Sequence, residues 1–298
     1  MKASLPIVAG LGPSCQWLPT GPWKTVLDFL HERYPRVDAA TWTDRMANGN
    51  VVDERGVRLH SESCYRAGSC IFYYRELKDE KRIPFAERVL YQDKHILVAD
   101  KPHFLPVIPS GRFLHETLLV RLRRQGGPDA LVPIHRLDRE TAGVVMFSLN
   151  RETRGHYTSL FRERKVKKVY EALAPSLPSL SFPLTRRSRI VPGEPFFRVK
   201  EVEGEPNSET HIELVKRTDG VTLYRLHPVT GRKHQLRLHL AALGIPIHND
   251  RFYPEIGFAG GFDSEDDFFH PLKLLAKSIS FQDPLTGREH YFESGRQL

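Results

Sequence analysis

The fold is decided by the stretch His135-Arg136-Leu137-Asp138-Arg139-Glu140-Thr141-Ala142-Gly143, which runs directly into the apolar segment 144–147. A carboxylate between two arginines, next to a Thr-Ala-Gly turn, is an unusual arrangement for packing alone. Nearby positive charge favours the ionised form of a carboxyl group, so we expect Asp138 to be an anion suited to act as a nucleophile or a general base. Taken alone, the stretch also fits a turn that Asp138 closes by hydrogen-bonding its own backbone.

Four stretches of the chain match one enzyme family in the same order. The pattern His-Arg-Leu-Asp-x-x-Thr-x-Gly around Asp138 resembles the catalytic motif of the RluA-type pseudouridine synthases. Residues 97–102 resemble that family's strand ending in Lys-Pro, 168–172 its Lys-x-Tyr-x-Ala strand, and 230–239 its Thr-Gly-Arg-x-His-Gln-x-Arg element. One short motif carries a high risk of a false match. Four matches in order favour the family.

The resemblance implies a set of catalytic residues. Isomerising uridine to pseudouridine breaks the bond from ribose to nitrogen, turns the uracil and rejoins it through carbon 5. By resemblance Asp138 is the reacting carboxylate, Tyr170 stacks on the base and helps to remove the carbon-5 proton, and Arg237 is the partner of Asp138. Without the resemblance, Tyr170 also fits a strand tyrosine that faces the core. Whether Asp138 attacks the sugar, attacks the base or abstracts a proton is left open.

The resemblance also implies residues that contact RNA. Arg136 corresponds to the residue that replaces the flipped base in the stack. Flipping costs a few kcal/mol, which a stacking and hydrogen-bonding guanidinium can offset. A phosphate contact or a salt bridge is the alternative role for Arg136. Lys101, Arg232 and His234 are expected to line the cleft.

The chain departs from the family pattern at three places. Ala142 stands where the family usually has Ser, the pair His103-Phe104 replaces a small or glycine-containing pair after Lys-Pro, and Asn249-Asp250 replaces Gly-Asp. No catalytic group is lost. The departures leave the loop geometry and the choice of substrate open.

The N-terminal part predicts a small separate module after a loosely held tail of residues 1–20. Pro22 starts a helix that Pro35 stops, Asp38 is a candidate N-cap of a second helix, and three short strands follow within 51–74. This pattern resembles an S-four-like RNA-binding module over 21–80, joined by the charged run 78–82 to a catalytic domain over 81–298. The cations expected to face phosphates are Arg36, Arg45 and Arg55; a packing module without RNA contacts is the alternative.

Composition is compatible with an RNA partner. The chain has 298 residues, 40% of them hydrophobic, and 44 Lys and Arg against 36 Asp and Glu give a formal net charge of +8. Such a chain can build a core, and its field attracts polyanions. Three cysteines, Cys15, Cys64 and Cys70, indicate free thiols in a reducing compartment, and no apolar run reaches the roughly 18 residues that span a bilayer. We therefore expect a cytoplasmic monomer that does not bind membranes.

Metal ions and cofactors are not expected. His234 and His239 are five residues apart, which on a helix does not place both rings on one face, and no cysteine pair completes a zinc site. Base isomerisation consumes no co-substrate. We predict an α+β fold with a mixed, largely antiparallel catalytic sheet, flanking helices and a small α/β N-terminal module.

The predicted function is site-specific pseudouridine formation in structured RNA, with ribosomal RNA favoured over transfer RNA. A catalytically inactive RNA-binding or ribosome-associated protein is the alternative, although binding alone gives no reason to keep Asp138, Tyr170 and Arg237 together. An RNA hydrolase using Asp138 is expected to carry a set of further carboxylates near the motif to bind metal ions, and we do not predict such a set from the sequence.

Overall fold

The computed structural model describes residues 5–35, 37–77, 79–255 and 267–298. Arg36, one of the cations expected to contact RNA, lies outside the described residues. The contacts divide the chain into two units, one of 1–80 with 110–115 and 120–129, and one of 81–109, 116–119 and 130–298. Two short segments that we expected in the catalytic domain therefore belong to the first unit.

The first unit contains two helices and a three-stranded antiparallel sheet. Its elements in chain order are β1 (Ser14–Trp17), α1 (Val26–Arg33), α2 (Ala39–Ala47), β2 (Val51–Asp53) and β3 (Cys70–Tyr73). The strand order is β1-β3-β2. As predicted, the Asp38 side chain caps α2 by accepting from the backbone N–H groups of Ala40 and Thr41. The predicted tail is wrong in part, because β1 lies inside it and pairs with β3.

Two of the three cysteines are bonded to each other. Cys15 on β1 and Cys70 on the neighbouring β3 form a disulfide, with their Cα atoms 6.6 Å apart, while Cys64 is free and exposed. The expectation of three free thiols is therefore wrong for this pair. Spacing along the sequence could not reveal the pairing, because it depends on β1 joining the sheet beside β3.

The core of the first unit forms between the helices and the sheet, around Trp42, Phe29 and Leu30. Arg45 belongs to this interior. Its side chain is buried, and its guanidinium carbon lies 4.9 Å from the centre of the Trp42 ring. Arg45 is therefore not presented to RNA as we expected. Arg55, in the turn after β2, is exposed.

The second unit is built on a large mixed sheet. Its elements are β4 (Arg88–Gln92), β5 (Ile96–Lys101), β6 (Val132–Pro133), β7 (Ala142–Ser148), α4 (Arg154–Arg162), β8 (Lys167–Pro175), β9 (Leu184–Pro192), β10 (Val199–Val202), β11 (Ser208–Thr218), β12 (Val221–Pro228), α5 (Gln235–Ala242), β13 (Leu274–Gln282) and β14 (Glu289–Glu293). A further helix, α3 (Leu118–Arg124), begins in this unit and ends in the first.

Eleven strands form this sheet in the order β10-β9-β11-β12-β8-β13-β7-β5-β4, with β14 paired to β13 and β6 paired to β7. The pairing of β13 with β7 is parallel, and the other strand pairs are antiparallel. The expected α+β fold with a mixed, largely antiparallel sheet is confirmed. None of the helices in the described part of the chain has the length and apolar content needed to cross a bilayer.

Apolar side chains cover the sheet in two clusters. One cluster lies under α5, where Leu236 and Leu240 pack on alternating residues of β8 and β12. The other lies under α4, where Tyr157 and Leu160 pack on β5, β7 and β13. Strands β5 and β7 are buried along their whole length, so they read in sequence as continuous apolar runs.

Gly143 sets the close approach of β7 and β13. It pairs with Ala276 and has φ of +116°, and a Cβ built at this position would lie 2.1 Å from the Ala276 carbonyl oxygen. A side chain cannot be fitted there without moving the backbone. The glycine of the Asp138 motif is therefore required by packing immediately after the loop.

Candidate active site

A cleft in the second unit collects side chains from three parts of the chain. The loop before β7 supplies Asp138, β8 supplies Tyr170, and α5 supplies Arg237. The space between them measures about 520 Å³, including the part that opens to solvent. The structure thus brings together the three side chains that we predicted to be catalytic. Arg136, Arg232 and His234 line the same cleft.

Asp138 faces the Arg237 guanidinium of α5 and the ring of His234, the residue that precedes α5. Its Oδ2 lies 3.9 Å from Arg237 Nη1, and its Oδ1 lies 3.8 Å from His234 Nε2. Its neighbour Arg139 pairs with Glu140 at 3.0 Å, and Arg136 is exposed at the cleft edge. Asp138 therefore meets Arg237, which is distant in sequence, in addition to the arginines beside it in the motif.

Arg237 is the electrostatic centre of the cleft. Its Nε and Nη2 donate to the two oxygens of Asp250 at 2.8 and 2.6 Å, and both side chains are only 1% exposed. Its Nη1 lies 3.5 Å from Glu140 Oε2. Burial disfavours the charged guanidinium, but Asp250, Glu140 and Asp138 together raise the pKa of Arg237 above its ordinary value. The guanidinium is therefore permanently charged and rigidly aimed.

Glu140 and Asp250 are site residues that sequence reasoning missed. Burial opposes ionisation of Glu140, yet the Arg237 and Arg139 guanidiniums outweigh it and lower the pKa of Glu140 to about 2. We treated Glu140 as a spacer within the motif, and at Asn249-Asp250 we considered only the replacement of Gly by Asn249. One signal was available in the sequence. Glu140 lies within the Asp138 motif and Asp250 follows the element of residues 230–239, and carboxylates near such motifs are candidate partners for a catalytic arginine.

Tyr170 combines the two roles that the sequence left open. Its ring packs against the apolar cluster under α5 and also lines the cleft. Burial, followed by the negative charge of Asp138, raises the pKa of Tyr170 above its ordinary value. The phenol is therefore neutral at physiological pH.

Other basic side chains line the cleft at different depths. Arg232 is exposed and donates from Nε to the Asn207 carbonyl at 3.1 Å. His234 is buried, with Nδ1 3.1 Å from the Tyr253 hydroxyl, and burial lowers its pKa against the opposing charge of Asp138. Lys168 also lines the cleft and was not predicted; burial, with Arg164 nearby, lowers its pKa to about 8.

Lys101, which we expected to line the cleft, lies behind the catalytic loop instead. Its side chain is fully buried, and Nζ donates to the carbonyls of Pro102, Leu105 and Arg139 at 3.0, 2.7 and 3.0 Å. It cannot reach RNA from there. The reason is that β5 is buried on both faces, so its last residue points into the protein.

The departures from the family pattern are accommodated locally. The His103 ring, through Nδ1, donates to the Glu140 carbonyl at 2.6 Å and so supports the catalytic loop from the same side as Lys101. Phe104 and Asn249 adopt positive φ angles of 65° and 62°, in the region that glycine enters without strain and that asparagine tolerates. The replacements therefore keep the backbone path that glycines would provide.

No group of three or more His, Cys, Asp or Glu side chains in the described residues has an arrangement that could hold a metal ion.

Comparison with known proteins decides the family. Residues 95–242 match the sequence model of the family described as RNA pseudouridylate synthase. The dual-specificity RNA pseudouridine synthase RluA of Escherichia coli (strain K12) is 38% identical over 169 residues, which cover 55% of this chain and 76% of that protein. The chain belongs to the RluA family of RNA pseudouridine synthases. It is an isomerase that acts on uridine in RNA.

Further similarities support the assignment of this pseudouridine synthase. An RNA pseudouridine synthase of Synechocystis sp. is 29% identical over 231 residues, covering 76% of this chain and 79% of that protein. The solved structure of human RNA pseudouridylate synthase domain containing 1 superposes with a TM-score of 0.56 at 24% identity, covering 71% of this chain and 84% of that chain. The structural likeness supports the fold.

Three histidines, of which His239 is buried and His103 and His135 are partly buried, predict that acid destabilises the synthase. Burial lowers the pKa of His103 to about 4, of His135 to about 3 and of His239 to about 4, from an ordinary value of 6.5. The unfolded chain therefore binds more protons than the folded one below pH 6.5. Their contribution to stability is complete above pH 6.5 and is lost as the pH falls toward 4, by about 1.4 kcal/mol per pH unit for each proton.

Urea unfolding at pH 7, 5.5 and 4.5 measures this loss. In the His135→Asn variant the unfolding free energy should fall less steeply with decreasing pH, because unfolding takes up about one proton fewer than in the wild type. The exposed His60→Gln variant is the matched control and should keep the wild-type slope. An unfolding free energy that stays constant between pH 6.5 and 4.5 would contradict the assignment of neutral, buried imidazoles.

Proposed function

We propose that this synthase modifies one or a few specific uridines in structured RNA, with ribosomal RNA as the favoured substrate and transfer RNA as the second candidate. The observation that carries the proposal is the meeting of Asp138, Tyr170 and Arg237 in one cleft whose edge carries the exposed cations Arg136 and Arg232. The Escherichia coli relative is named a dual-specificity RNA pseudouridine synthase, which supports keeping more than one candidate substrate.

Asp138 is the reacting carboxylate in this proposal. The Arg237 guanidinium faces Oδ2 of Asp138 while its position is fixed by the ion pair with Asp250. Arg237 can therefore orient the Asp138 carboxylate and leave it accessible for reaction. Asp138 is partly exposed, at 28%, and is therefore accessible to a nucleotide that enters the cleft. An anion that is accessible and faces a fixed cation is suited to nucleophilic attack or proton abstraction.

Tyr170 acts after Asp138 has reacted. Attack on the sugar, attack on the base and proton abstraction each remove the negative charge of Asp138. That charge is one of the two causes that raise the pKa of Tyr170. Only the phenolate can accept the carbon-5 proton, so loss of that charge favours the ionised form of Tyr170 that is needed for proton removal.

Arg136 is proposed to compensate for base flipping. It lies at the cleft edge and is exposed, so its guanidinium can enter the gap left by the extruded uridine. Stacking and hydrogen bonding by the planar guanidinium offset part of the few kcal/mol that flipping costs.

The N-terminal unit is proposed to be an S-four-like RNA-binding module over residues 21–80. Two short helices and a small sheet support this assignment, and Arg55 is exposed in a turn beside the sheet. The family match begins at residue 95, after this segment. Arg45 is excluded from the RNA contact because it is buried.

The decisive test of the proposed function maps pseudouridines in total RNA from cells with the gene deleted and from the same cells carrying it again. We expect one or a few sites to disappear and to return with the wild-type gene. The position of each site identifies the RNA class. A map that is unchanged by the deletion would favour the alternative of an inactive RNA-binding protein.

The phenol of Tyr170 is expected to be essential for turnover. Tyr170→Phe keeps the ring that stacks on the base but removes the proton-transfer group, so the single-turnover rate should fall by about 10²- to 10⁴-fold. The RNA concentration giving half the maximal rate should change little. Tyr224→Phe is the matched control: Tyr224 is a buried tyrosine on the neighbouring β12, and it is not among the residues that line the cleft. A Tyr170→Phe enzyme as fast as the Tyr224→Phe enzyme would contradict this role.

A further inference from the structure

We propose that the hairpin of β9 and β10 is an RNA-docking surface, on which the Phe196 ring stacks on an unpaired nucleotide of the substrate next to the target uridine. This inference rests on the proposed function, since it assigns a contact to the same RNA substrate. The hairpin was not predicted from the sequence. It lies entirely within the second unit, beside α5.

The tip of the hairpin carries two neighbouring phenylalanines, of which one is exposed and the other packs against the protein. Phe196 is 82% exposed, while its neighbour Phe197 is partly buried and packs on Phe252 with ring centres 5.2 Å apart. A single exposed apolar residue is common on protein surfaces and proves nothing alone. Here the packing of Phe197 on Phe252 orders the backbone at the tip of the hairpin. The Phe196 ring is thereby presented at the surface, and less conformational entropy is lost when it stacks on a base.

Two chains of contacts connect this tip to the catalytic residues. In the first, Phe252 lies under Arg237, with the guanidinium carbon 4.7 Å from the ring centre. In the second, the backbone N–H of Val199 donates to the Tyr253 hydroxyl at 2.9 Å, and that hydroxyl lies 3.1 Å from His234 Nδ1. The hairpin therefore forms part of the wall beside the cleft. We expect an RNA strand whose target nucleotide enters the cleft to continue along this wall.

The charge of the hairpin suits an RNA backbone. Residues 184–202 contain five cations and two carboxylates. The side chains of Arg187, Arg189 and Lys200 are exposed on its strands. Cations that follow the phosphates and an aromatic ring that stacks on a base are the combination that recognises single-stranded nucleic acid. A protein partner would have no need for this excess of positive charge.

Binding of a fluorescein-labelled twelve-nucleotide oligouridylate, followed by anisotropy at low salt, tests the proposal. Phe196→Leu keeps an apolar side chain but removes the ring, so its dissociation constant should rise about fivefold or more. Phe196→Trp should bind as tightly as the wild type or more tightly. Tyr291→Leu is the matched control, because Tyr291 is also exposed, on β14, and it should stay within twofold of the wild type.

The same variants should then be assayed on the RNA identified by mapping. For Phe196→Leu we expect a higher half-saturating RNA concentration and an unchanged maximal single-turnover rate. Wild-type protein that does not bind oligouridylate, or Phe196→Leu protein that binds within twofold of the wild type, would overturn the docking surface. Neither result affects the mapping experiment, so the failure of this inference and the failure of the proposed function can be told apart.

Discussion

Asp138→Asn is expected to abolish pseudouridine formation while leaving RNA binding nearly intact. The amide has the size and shape of the carboxylate but cannot attack carbon or accept a proton at neutral pH. We expect the single-turnover rate to fall by about 10⁴-fold or more, as for the loss of a nucleophile that acts as part of a unit. RNA affinity should fall less than tenfold, about 1.4 kcal/mol, because Asp138 carries little of the binding surface.

Release of tritium from carbon 5 of labelled RNA measures the rate, and anisotropy measures the affinity. Asp219→Asn, in the exposed turn between β11 and β12, is the matched control and should be as active as the wild type. In the deletion strain, the Asp138→Asn gene should fail to restore the missing sites. If those sites return with the Asn form, Asp138 is not the reacting group.

Arg237→Met is expected to cause the largest loss of stability of any single change in the cleft, and to remove activity. It strands the buried carboxylate of Asp250 and leaves Glu140 with one cation fewer. Breaking a buried ion pair on one side costs about 3–5 kcal/mol. Arg237→Lys should recover only part of this, because an ammonium cannot make the two parallel hydrogen bonds that the guanidinium makes to Asp250.

A double-mutant cycle separates the structural role of Arg237 from the catalytic one. Urea unfolding of Arg237→Met, Asp250→Asn and the double variant should give a coupling energy of at least about 1 kcal/mol, since the two side chains are in direct contact. The double variant should regain stability relative to Arg237→Met and remain inactive. Arg162→Met is the control on an exposed arginine and should unfold at the wild-type urea concentration. An Arg237→Met protein as stable as this control would refute the buried pair.

Local patterns in the sequence were sufficient for the parts of the fold that depend on neighbouring residues. The helix cap at Asp38 was predicted because cap chemistry acts over a few residues. The resemblance then placed Asp138, Tyr170 and Arg237 in one cleft.

The remaining features arise from contacts between distant residues. Glu140 is 97 positions from Arg237, and nothing in the spacing shows that the two meet. Lys101 reads as a cleft cation in sequence, and only the burial of β5 on both faces removes it from the RNA. The pairing of Cys15 with Cys70 likewise requires the sheet register. In each case the role of the side chain depends on a contact with residues far away in the sequence, which local patterns do not reveal.

The position of β13 has a consequence for protein synthesis. This strand lies between β7, which follows Asp138, and β8, which carries Tyr170, and it comprises residues 274–282. Before the ribosome has translated β13, the nascent chain contains β7 and β8 but not the strand that joins them. Among the described residues, no other strand of the sheet lies between these two. The catalytic centre is therefore incomplete until that late strand has emerged from the ribosome and folded into place between β7 and β8.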